Sequence, residues 1–121
     1  MRTLPSRMMR HACTLIIPAG VTAWRATEAD RTIELTRVRI ERTRAITPSE
    51  LDMDLKPTAE LYVDARISKP AGVDFVALHA EAADVHDYLR VSFGDRTYRV
   101  MAVRELLDDR GRPHHWELEM I

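Results

Sequence analysis

The feature that most constrains this chain is a period-two pattern that recurs in short stretches separated by turn residues. It is clearest in "RTIELTRVRIERT", where Ile33 and Leu35 alternate with polar residues and then Val38 and Ile40 alternate in the opposite phase. On a strand, alternate side chains share a face, so a change of phase requires one extra residue. The slip places a β-bulge near Thr36–Arg37, a device that bends a strand in a barrel. "AELYVDARI" alternates as well, with Leu61, Val63, Ala65 and Ile67 opposite Tyr62, Asp64 and Arg66. "HACTLII" is a further short strand, stopped by "PAG".

From Asp87 to the end the chain reads as an antiparallel meander, with "GD" joining one pair of strands and "DDRGRP" joining the last pair. Trp116, Leu118 and Met120 then share a face that belongs in the core, and His115, Glu117, Glu119 and Ile121 share the other. "VTAWRA" reads as a short strand or an irregular crossing anchored by Trp24, and "AITPSELDMDLKPT" as a loop. "VDFVALHAEAADVHDYL" divides its preferences between helix, for its alanines, and strand, for Val73, Phe75 and Val76. It reads as a short strand or turn followed by a loop. Five to seven short strands and no long amphipathic helix give a mainly β fold: a small antiparallel β-barrel or sandwich with long loops and little helix.

The 121 residues suit one domain. Residues 1–10, with Arg2, Arg7, Arg10 and Pro5 but no apolar period, read as a mobile arm before a single domain over 11–121. The opening resembles a signal peptide in its arginines, but "ACTLII" is short and ends at Pro18, which favours a strand. No run approaches transmembrane length. The single cysteine, Cys13, excludes an internal disulfide and reads as an inert buried thiol in a reducing cytoplasm.

An apolar fraction of 45% and a charged fraction of 31% fit a globular protein, and the net charge of −1 gives no reason to expect a coat on nucleic acid. The charge is unevenly distributed: residues 1–44 sum to +5, residues 45–87 to −6, and the rest to zero. That division is ordinary for a solvated surface, and it also suits subunits that pack front to back.

The residues that invite a chemical reading are His114 and His115. Adjacent strand residues point to opposite faces, so the pair is not expected to chelate one ion. His11, His79 and His86 show no ligand spacing with acids or Cys13. No serine lies in a G-x-S-x-G context, and there is no P-loop, G-x-G-x-x-G or C-x-x-C. Asp52 and Asp54 read as a solvated acidic loop rather than a cation site. No catalytic residue, metal ligand or cofactor is expected.

The order "GDRTYRV", a variable turn and then "HHWEL" near the end resembles the small minor capsid, or head–tail connector, proteins of tailed bacteriophages and prophages. "LTRVRIE", an acidic loop and "AELYVDARIS" resemble that family's central strands, so that the likeness covers residues 11–121. "ALHAEAAD" departs from the family's short loop. The resemblance implies a head-closure component, a stopper or adaptor ring between portal and tail, without catalytic residues. It further implies contacts with copies of itself, with a portal or adaptor protein, and with a tail or tail-terminator protein. Genomic DNA would pass through the channel without sequence-specific contact, and the subunit would be made in the bacterial host cytoplasm for the virion neck. Arg2, Arg7, Arg10, His114 and His115 are the candidate interface residues. The rival readings are an OB-like nucleic-acid-binding barrel, for which Arg96, Tyr98 and Arg99 would have to present a stacking face, and a cupin-like metal enzyme.

Overall fold

The computed structural model describes residues 5–19, 30–42 and 58–121. Six strands close into an antiparallel barrel: β1 (His11–Ile17), β2 (Arg31–Arg42), β3 (Ala59–Asp64), β4 (Arg90–Phe93), β5 (Arg96–Leu107) and β6 (Pro113–Met120). Their order around the barrel is β1-β2-β3-β6-β5-β4, with β4 pairing back to β1. The barrel alternative of the two expected architectures is the one adopted. "VTAWRA" and nearly all of the acidic loop lie outside the described residues.

The interior is filled by the alternating residues: Leu15 and Ile17, Leu35 and Val38, Leu61 and Val63, Val91, Val100, then Leu118 and Met120 are all buried. A fully buried aliphatic side chain contributes about 1.5–3 kcal/mol, so this layer supplies the main driving force for closure. The phase change in β2 is a bulge. His11 pairs with Val38 while Ala12 pairs with Thr36, leaving Arg37 unpaired at φ 55°. β5 bends by the same means: Val100 pairs with Met120 and Ala102 with Glu119, so Met101 is the extra residue. Gly94, at φ 62°, supplies the left-handed conformation that the tight β4–β5 hairpin requires.

Residues 73–87 correct the sequence reading, because Phe75–Asp84 form a helix, α1, rather than a strand and loop. The Asp74 side chain accepts a hydrogen bond from the Ala77 amide at 3.0 Å and so caps the first turn. Phe75, Leu78, His79 and Ala82 follow the i, i+3, i+4, i+7 spacing of one helical face, and each is buried or half-buried. Phe75 reaches the barrel core, its ring 5.3 Å from that of Trp116.

Asp64 also departs from the expected alternation. The period-two pattern puts it on the outer face, yet it is buried, because β3 ends there and its carboxylate turns back on the chain. Asp64 Oδ1 accepts from the amides of Arg66 (2.8 Å) and Ile67 (3.1 Å). Among the described residues no helix is long and apolar enough to cross a membrane.

Candidate functional site

Three groups of side chains on the barrel surface could act on a partner. The first is a basic cleft at the start of β1. A 3-10 turn at Ser6–Met8 leads into Met9, which is only 2% exposed, so the end of the expected arm is anchored on the domain. Arg7 and Arg10 flank that anchor, and Arg2 lies outside the described residues. With Ser6, His11, Ala12, Thr36 and Arg37 they line a cleft of about 480 Å³ that contains no acid among the described residues.

The β2 bulge that brings Arg37 here is held firmly. Ser68 Oγ donates to the Arg37 carbonyl at 2.6 Å and accepts from the Asp64 amide at 2.9 Å. Thr36 and Lys69 exchange two backbone hydrogen bonds, at 2.9 and 3.0 Å, which adds a lysine beside the cleft. His11 Nδ1 accepts from the Ile40 amide at 2.9 Å, which leaves the Nε2 proton for a ligand or solvent. Among the described residues the guanidiniums of Arg7, Arg10 and Arg37 have no acidic partner within ion-pair distance.

The second group is His114 and His115, where the expectation of opposed directions is corrected. His115 pairs with Leu106 but Pro113 pairs with Leu107, so His114 is the extra residue of a bulge. A bulge re-aims its side chains, and the two rings meet with Nδ1 atoms 2.7 Å apart. One Nδ1 must donate and the other accept. His115 Nε2 lies 3.3 Å from Glu117 Oε1. Among the described residues there is no group of three or more His, Cys, Asp or Glu that could hold a metal ion.

The third group is an acidic ridge that the sequence reading missed. Register sets Glu60 of β3 opposite Glu119 of β6, and Tyr62 opposite Glu117. The three glutamates share one cation, Arg104 of β5, whose guanidinium lies 3.6, 3.2 and 3.4 Å from Glu60, Glu117 and Glu119. Partial burial, and next the charge of Glu117, push the Glu60 carboxyl above its ordinary range. Burial and then the neighbouring Glu60, Glu41 and Glu117 push Tyr62 up to about 12. The outward alternation of Glu60, Glu117 and Glu119 is visible in the sequence, whereas their proximity depends on the pairing of β3 with β6.

Other candidates fall to the core. Cys13 is buried, and desolvation, with the Glu34 charge next, pushes its thiol up to about 12, far from a reactive thiolate. Tyr98 is 3% exposed, so Arg96, Tyr98 and Arg99 present no stacking platform to a base. Its hydroxyl is buried without a hydrogen-bond partner among the described residues.

No family model matches this chain, and no solved structure matches it. An alignment 72 residues long, covering 54% of the chain, is 39% identical to part of the 5'-nucleotidase SurE of Methanothermobacter thermautotrophicus. The chain covers 27% of that protein's length.

Proposed function

We propose that this chain is a structural subunit of a phage neck, a head-closure (stopper or adaptor) ring component that joins portal to tail. The observation that carries the reading is the closed barrel with an apolar interior, in the chain whose "GDRTYRV … HHWEL" order resembles that family. The ring order gives every strand a neighbour on either side along at least part of its length, which limits the edge open to pairing. Association then runs mainly through side chains and loops on the outer surface, where the basic cleft, the paired histidines and the acidic ridge lie. A net charge of −1 suits a channel wall that DNA passes without being held.

The test is removal of the coding sequence from the phage or prophage that carries it. The expected result is DNA-filled heads that leak or fail to join tails, with the chain found at the neck of intact particles. Normal tailed, infectious particles without the chain would overturn the reading. The partial match to a 5'-nucleotidase raises a second reading, hydrolysis of a nucleotide phosphate. Steady phosphate release from nucleoside monophosphates by the purified chain would favour it over the structural one.

A further inference from the structure

We propose that the basic cleft is one half of a heterologous contact between copies of this chain, and that the acidic ridge of the neighbouring copy is its occupant. The proposal rests on the ring reading above and names the surfaces that reading leaves open. The cleft gathers Arg7, Arg10 and Arg37, with the Lys69 backbone bonded to Thr36 at its edge, and among the described residues its lining has no acid to neutralise them. Among the described residues the ridge gathers Glu60, Glu117 and Glu119 around Arg104, leaving carboxylate in excess. One surface has arginines without acids and the other three carboxylates for one arginine, so each supplies what the other is short of.

The placement of the two surfaces decides the kind of contact. Arg37 is on β2 and the ridge is on β3 and β6 of the same closed barrel, and among the described residues Glu60, Glu117 and Glu119 pair with Arg104 and not with Arg7, Arg10 or Arg37. Two different patches on one rigid body make a head-to-tail interface, which closes into a ring when the rotation permits. The cleft is also prepared for a ligand. Met9 anchors the segment that bears Arg7 and Arg10, and the Ser68 and Lys69 bonds fix the bulge that bears Arg37. Guanidiniums on a fixed backbone lose less freedom on pairing with carboxylates than those on a loose arm.

A charge-swap experiment tests this. One variant carries Arg7→Glu and Arg10→Glu, the other Glu60→Lys and Glu119→Lys, with Glu117 kept to hold Arg104. Association is read by sedimentation at about 0.05 M salt and again at about 0.5 M, where the Debye length is much shorter. The unaltered chain is expected to self-associate at low salt and to weaken about tenfold or more at high salt. Each variant alone should associate at least about tenfold more weakly, because like charges then meet. An equimolar mixture should recover assembly, since each altered surface meets its opposite. If the ridge variant folds poorly, Glu119→Gln alone should still weaken association in the same direction.

A mixture that stays monomeric while the unaltered chain assembles would overturn the interface and leave the ring reading standing. An unaltered chain that stays monomeric up to about 1 mM, a limit that leaves less than about 4 kcal/mol for association, would also overturn it. So would duplex DNA binding that is lost in the Arg7→Glu/Arg10→Glu variant without any self-association. Absence of the chain from phage necks would instead remove the reading beneath the proposal.

Discussion

Trp116 links three parts of the molecule. It stands on β6, its ring packs on Phe75 of α1, and its Nε1 donates to Glu105 Oε1 on β5 at 3.1 Å. It is only 6% exposed. Trp116→Ala should therefore lower unfolding free energy by about 3–5 kcal/mol, since the lost ring leaves a cavity beside Phe75. Urea denaturation followed by circular dichroism measures this, and an unchanged midpoint would place the tryptophan outside the core. The alternation of "HHWELEM" makes its inward direction legible in the residues themselves. The same alternation misleads at His114 and His115, because it assumes an unbroken ladder. Their meeting depends on a mismatch of one residue between β5 and β6, and neither strand shows that mismatch by itself. Arg37 is the opposite case. Its bulge is readable, because the apolar phase of β2 changes within a single strand.

At the level of elements, the helix is the main feature that propensity misassigns, although its signals are local. Val73, Phe75 and Val76 have strand propensity, but the Asp74 cap, four alanines and the 75–78–79–82 spacing outweigh them once Phe75 has a core to enter. Asp74→Ala should cost about 1 kcal/mol, with loss of helical signal no greater than one turn. A helix stable to that change would mean that Phe75 alone holds it. Register between distant strands is not legible in the sequence, so the acidic ridge on β3 and β6 is not either. That ridge has a pH signature. The Glu60 carboxyl is held above its ordinary 4.5, so the folded protein binds this proton more tightly than the unfolded chain does. The group therefore opposes folding at neutral pH, and the opposition is relieved as pH falls through the raised value towards 4.5. Glu60→Gln should be more stable than the parent at pH 7, with the difference shrinking to zero below about pH 4. Thermal melts across that range test it, and a difference that grows on acidification would reverse the assignment.

The whole molecule is organised by the strand that comes last. β6 sits between β3 and β5 in the barrel, so two of the six ladders depend on it. Its Trp116, Leu118 and Met120 complete the core layer that Leu61, Val63 and Val100 begin. The next residue, Ile121, adds a reciprocal pair of backbone bonds with Arg99, both 2.9 Å. Until β6 is in place the other strands can form only an open sheet with β3 and β5 as its edges, each an exposed template for pairing with another chain. Closure should consequently be cooperative. The full chain is expected to unfold in one transition by both tryptophan fluorescence and circular dichroism. A chain shortened to residues 1–112 loses more than the few side chains it lacks, because both ladders and the buried layer go together. Native domains are stable by only about 5–15 kcal/mol, and three buried side chains of this size are worth a large part of that. The shortened chain should therefore show no cooperative melt and should aggregate through its open edges. Adding residues 113–121 in trans as a peptide should restore part of the sheet signal, as strand addition to an exposed edge does. A shortened chain that melts cooperatively near the parent temperature would mean that five strands form a stable sheet alone, and that closure by β6 is not what holds the fold.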